Sequence, residues 1–150
     1  MGLQFANTQV DEGATTTNSG TFTISLSTTS ADWNSLAPDF SSNIGPNNTQ
    51  VFSGSLFQPW AFGYSLNIPF STPFHYDPAA GNLLVDVRVS GSSDANGIIY
   101  FDSNGYNNGG YNGDTIFGRV YCDFGSNCVS GNIIADYGYG LATAFIVRPQ

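Results

Sequence analysis

The chain of 150 residues is of single-domain size, and a chain of that length buries roughly 70% of the surface its unfolded form exposes. Hydrophobic residues make up 41% and aromatics 15%, so large rings can supply much of a core. Only 9% of residues are charged, lysine is absent, and ten Asp and one Glu against Arg88, Arg119 and Arg148 leave a net charge of −8. Ordinary domains carry about 25% charged residues. Such a surface repels phosphate backbones and offers anionic lipids no basic patch, so nucleic acid and direct membrane insertion drop out as expected partners.

Helical periodicity is nearly absent, and strand signals separated by turn clusters recur along the chain. A first strand is expected within Leu3 to Val10. In Thr21 to Ser27, Phe22, Ile24 and Leu26 alternate with hydroxyl residues, which predicts a half-buried strand with one wet face. One helical turn is expected over Ser30 to Leu36, with Ser30 as cap and Asp32 in the first turn. Residues 38–49 form a polar connector containing Asn47-Asn48-Thr49, a glycosylation sequon meaningful only in a eukaryotic secretory host.

Two further strands are expected at Gln50 to Phe57 and Gly63 to Phe70. Asn82 to Ser90 has the clearest pattern: Leu83, Val85, Val87 and Val89 share one face, with Leu84, Asp86 and Arg88 on the other. Asp86 and Arg88 can pair there as same-face neighbours. Beyond it, strands are expected at Gly97 to Phe101, Thr115 to Tyr121, Val129 to Asp136 and Leu141 to Val147. Between these lies the glycine-rich loop 102–114. About eight strands without intervening helices predict an all-β fold, an antiparallel two-sheet β-sandwich of jelly-roll type, as one domain over residues 1–150.

Cys122 and Cys128 flank Asp-Phe-Gly-Ser-Asn, a segment able to turn and bring the two side chains within bridging range. Closing so short a loop contributes roughly 2 kcal/mol in the chain-entropy view. A metal pair is the alternative, but zinc sites want closer cysteines and two more ligands, which the lone His75 cannot complete. A disulfide implies an oxidising compartment, and with the lysine-free composition it points to a secreted or cell-surface protein. The sequence contains no transmembrane run. Met1-Gly2 followed directly by a polar segment is what a trimmed mature domain would present.

Several ordered segments carry a likeness. They are Ile24-Ser25-Leu26-Ser27-Thr28-Thr29, Phe40-Ser41-Ser42-Asn43-Ile44-Gly45, Val51-Phe52-Ser53-Gly54-Ser55-Leu56 and the long block from Thr72 to Arg88. Arg119-Val120-Tyr121 and Gly140-Leu141-Ala142-Thr143-Ala144-Phe145 follow in the same order. Over about residues 21–147 the chain resembles the extracellular domains of bacterial exosortase-sorted proteins, which carry a PEP-CTERM anchor. The resemblance implies export, association with a surface or matrix, and a β-sandwich, and it brings no catalytic residues. The glycine-rich 102–114 loop and the cysteine pair depart from the pattern. So does the end at Arg148-Pro149-Gln150, which lacks a sorting motif, as a trimmed domain or an unanchored relative would.

Catalysis has little to build on. A nucleophilic triad needs a base, and His75 is the one imidazole, set among aromatic neighbours where a structural or surface role is expected. Carboxylate pairs for glycoside hydrolysis are arithmetically available, but the aspartates lie mostly in turns, where they bond to backbone. No cofactor is expected, with Ca²⁺ the one ion to weigh: Asp102, Asn104 and Asp114 bracket a loop rich in oxygen donors, although not in the spacing of an EF-hand. Tyr106 and Tyr111 in that loop, with Trp60 beside Pro59 and Phe62, are candidates for stacking on sugars. The reading that follows is a non-enzymatic extracellular surface or matrix domain that associates with copies of itself. The alternative is a carbohydrate-binding module that holds extracellular polysaccharide through these rings with help from Ca²⁺.

Overall fold

The computed structural model describes residues 1–7, 19–56, 63, 65–93, 101, 103–104, 118–122, 128–133 and 140–148. These form strands β1 (Gly2–Ala6), β2 (Ser19–Thr29), β3 (Thr49–Gly54), β4 (Ser65–Pro69) and β5 (Asn82–Ser93). Five shorter strands follow: β6 (Ser103–Asn104), β7 (Val120–Tyr121), β8 (Asn132–Ile133), β9 (Gly140–Leu141) and β10 (Thr143–Ile146). Helix among the described residues is confined to single 3-10 turns at Ser41–Asn43 and Pro78–Ala80. The all-β expectation is met.

Two three-stranded antiparallel sheets carry the architecture, in the orders β10-β1-β4 and β3-β2-β5. Alternation puts Leu3 and Phe5 of β1, Leu66 and Ile68 of β4, Ile24 and Leu26 of β2, and Val51 of β3 into one buried cluster with Leu56. One apolar cluster therefore joins side chains from both sheets. Leu3, Ile24 and Val51 are fully shielded from water, and burying each such side chain stabilises the fold by roughly 1.5–3 kcal/mol. Phe101 leans on Phe5, with ring centroids 5.7 Å apart, and Leu141 packs against the same cluster.

A bulge ties the sheets together. The β2–β3 register shifts between Ile24 and Ser25, pairing Ile24 with Phe52 but Ser25 with Gln50. Val51 is thereby released from the ladder. Its carbonyl accepts hydrogen bonds from the Ser71 amide at 2.8 Å and the Ser71 hydroxyl at 3.1 Å, just beyond the end of β4.

Three sequence expectations need correction. The face of β2 predicted to be wet is dry over its second half: Ser25, Ser27 and Thr29 are buried at 8%, 1% and 6% exposure. The segment through Gly45 crosses it, and the Gly45 amide donates to Ser27 Oγ at 3.1 Å. The helical turn expected over Ser30 to Leu36 is a single tight turn, closed by the Ser35 amide on the Asp32 carbonyl at 3.0 Å. Thr29 and Ser35 hydroxyls accept from the Ala31 and Asp32 amides, offering the backbone a local alternative to helix. The strand expected over Leu141 to Val147 is broken at Ala142, because β9 pairs with β6 while β10 pairs with β1. One apolar run thus serves two ladders. Residues 97–100, 115–117 and 134–136 of other expected strands lie outside the described residues.

Candidate functional site

The registers gather three strand termini at one end of the β3-β2-β5 sheet: Thr29 pairs with Asn82, and Leu26 with Thr49. The 30–48 and 70–81 connections meet there. Side chains, rather than strand ladders, hold this end together.

Asn47 takes over where β3 stops. Its Oδ1 accepts the Thr28 amide at 2.7 Å and its Nδ2 donates to Thr28 Oγ1 at 3.0 Å, so one side chain continues the pairing along the β2 edge. The sequon asparagine is thus committed to the fold. Gly45 lies so close that a Cβ placed on it would sit 1.7 Å from the Thr28 carbonyl oxygen. Only glycine permits that approach.

Asn43 is buried at 5% exposure and fully bonded: Oδ1 accepts the Ala37 amide at 2.8 Å, and Nδ2 donates to the carbonyls of Ala37 at 2.9 Å and Asp39 at 3.1 Å. Asp39 Oδ2 accepts from Ser41 Oγ and Ser42 Oγ, both at 2.7 Å, and from the Ser42 amide at 2.9 Å. The Ser42 hydroxyl, then the Ser41 hydroxyl and the Ser42 amide, hold this carboxyl below the ordinary 3.8 of a free aspartate.

The block from Thr72 to Arg88 is a structural corner. Phe74 packs on the core, the Tyr76 hydroxyl donates to the Gly81 carbonyl at 2.9 Å, and Asp77 caps the 3-10 turn through the Ala79 amide at 2.9 Å. Gly81 has φ 141° and passes so near β2 that a Cβ on it would lie 2.5 Å from the Thr29 carbonyl oxygen. Asn82 Nδ2 then donates to the Ala31 carbonyl at 3.0 Å, pinning the start of β5 to the turn after β2. His75 is exposed within this corner. Further on, Arg88 Nε meets Asp86 Oδ2 at 3.0 Å, the pair expected from their spacing.

The cysteine pair adjoins the same end. Cys122 and Cys128 are joined in a disulfide, their Cα atoms 6.3 Å apart, within the connection between β7 and β8. Directly after Cys128 the chain pairs with the 38–40 segment. The Phe40 amide donates to the Val129 carbonyl at 3.2 Å and the Gly131 amide to the Pro38 carbonyl at 2.9 Å, on either side of an Asp39–Ser130 bridge. The Phe40 ring and the Tyr121 carbonyl close on Gly131. The Arg119 guanidinium lies 4.9 Å from the centre of the Tyr121 ring. The sequence places a strand at Val129 to Asp136 but reads 38–40 as part of a polar connector, so the long-range pairing of 38–40 with 129–131 is not signalled by it.

Of the residues singled out from sequence, Tyr106, Tyr111, Trp60, Asp102 and Asp114 lie outside the described residues. Asn104 sits in β6 opposite Gly140. Among the described residues, no three His, Cys, Asp or Glu side chains gather in a way that would hold a metal ion, and no helix is long and apolar enough to cross a membrane. Apolar side chains do reach the surface on the outer strands: Val87 and Val89 on β5, Phe145 and Ile146 on β10, then Val147. No protein-family profile, curated protein or solved structure matches the chain.

Proposed function

We propose that this is a non-enzymatic extracellular domain that contributes to a bacterial surface or matrix by associating with copies of itself. The observation that carries the reading is the apolar surface of the two strands outermost among the described residues, where Val87 and Val89 on β5 are each 44% exposed and Ile146 on β10 is 47% exposed. These side chains occur on a chain of only 9% charged residues. Sparse charge and surface apolar groups favour association, against the repulsion of a net charge of −8 on each copy, which salt screens. The disulfide and the resemblance of residues 21–147 to exosortase-sorted extracellular domains support the compartment. The dense side-chain bonding of the 72–82 corner supports a structural role for that part of the resembling block, in place of a reactive one.

Sedimentation velocity over a concentration series tests the reading, comparing the native chain with Val87→Ser/Val89→Ser. Association that rises with concentration and weakens in the double variant is expected. A chain that stays monomeric to its solubility limit, and that is retained by a polysaccharide column in a chelator-sensitive way, would instead identify a carbohydrate-binding module.

A further inference from the structure

We infer that the Cys122–Cys128 disulfide is a redox clip that orders the distant 37–43 segment, so that this part of the surface is built only where disulfides persist. The inference stands independently of self-association. The disulfide fixes the chain just before Val129, and Val129 and Gly131 make the two backbone bonds that hold residues 38–40. Both partners of those bonds lie outside the two three-stranded sheets, and among the described residues the backbone pairing beside them is the Asp39–Ser130 bridge and the two-residue β7–β8 ladder, whose ends the disulfide ties. Inside the held segment, Asn43 binds back to Ala37 and Asp39, and Asp39 binds forward to Ser41 and Ser42. The segment is therefore one self-bonded unit docked along the strand that follows Cys128. The anchoring of Gly45 and Asn47 on β2 does not pass through the clip.

Reduction removes the cross-link and lengthens the free connection between β7 and β8. With a trialkylphosphine the S–S bond is cleaved, each sulfur becomes a thiol, and the phosphorus gives up two electrons and takes the oxygen of water as the phosphine oxide. The entropy recovered by the opened loop should be spent locally, on the bonds between 38–40 and 129–131.

Amide hydrogen exchange read residue by residue tests this on the oxidised chain, the phosphine-reduced chain and Cys122→Ser/Cys128→Ser. The Phe40 and Gly131 amides should exchange about thirty-fold faster in both reduced forms, while Ile24, Leu26 and Thr28 in β2 keep their protection. Equal exchange at Phe40 and Gly131 in all three forms would overturn the inference. So would loss of protection across β2, because the disulfide would then be a staple of the whole domain and not a local clip. Should the double variant fail to fold, the reduced native chain carries the same comparison, and collapse of β2 in it counts against the clip.

Discussion

The second half of β2 and the middle of β5 show what an alternating pattern does and does not determine. In β2 the polar residues Ser25, Ser27 and Thr29 are buried. In β5 the apolar residues Val87 and Val89 are 44% exposed, although Val87 pairs with Ile24, which is fully buried. Strand position explains the inversion. β2 is central in its sheet, with β3 and β5 on its flanks and the Gly45 segment across its hydroxyl face. β5 is outermost among the described strands of that sheet. Hydroxyls tolerate burial when a crossing backbone supplies donors, and valines tolerate exposure at a sheet margin at small cost.

Five variants can break or sharpen this contrast. Gly45→Ala should cost the most, about 3 kcal/mol or more in urea unfolding, because the clash is with the Thr28 backbone and cannot be relieved by a rotamer. A loss below about 1 kcal/mol would mean that the crossing segment is free to lift off. Asn47→Ala should cost about 1–2 kcal/mol by leaving the Thr28 amide without its acceptor. In a eukaryotic secretory host the native sequon offers a further check: a glycan on Asn47 Nδ2 competes with the bond to Thr28 Oγ1, so a glycosylated chain should melt at a lower temperature than the unmodified one.

Asp39→Asn acts through pH. The folded pKa lies below the unfolded one, so the carboxylate's contribution is complete above the ordinary 3.8 and is lost as pH falls through the depressed folded value. Stability of the native chain should therefore fall more steeply than that of Asp39→Asn below that pH. In a carbon-detected titration, Ser41→Ala/Ser42→Ala should raise the Asp39 midpoint toward 3.8. The smallest effect belongs to Val87→Ser/Val89→Ser, under about 0.5 kcal/mol per site, with the change appearing in sedimentation and not in unfolding. A loss above about 2 kcal/mol at either valine would show that it is packed, and the contrast between the two strands would disappear.

Much of the sheet framework was legible from alternation. β1 to β5 fall where Leu3, Phe22 to Leu26, Val51, Leu66 to Ile68 and Leu83 to Val89 place them, and the Asp86–Arg88 pair follows from their spacing. The Cys122–Cys128 link was legible for the same reason, since a short intervening segment brings the two within reach. What sequence missed depends on contacts between distant segments. Alternation cannot tell that Gly45 lies on Ser27, that Asn47 stands in for a strand residue, or that 38–40 pairs with 129–131. Asn43 could have been suspected: a buried asparagine bonded to backbone on both sides is a common loop anchor, and Asp39 followed by Ser41 and Ser42 is a turn signature. Tyr106, Tyr111, Asp102 and Asp114 fall outside the described residues, so the stacking and calcium readings rest on sequence, and Asn104, expected in a loop, is a strand residue of β6.

The most direct test of the central contrast is hydrogen exchange at the Thr28 amide in the native chain and in Asn47→Ala. Protection comparable to that of Leu26 in the native chain, lost at Thr28 but retained at Leu26 in the variant, is the predicted result. Rapid exchange at Thr28 in the native chain would contradict it, because the second half of β2 would then be as open to water as the middle of β5.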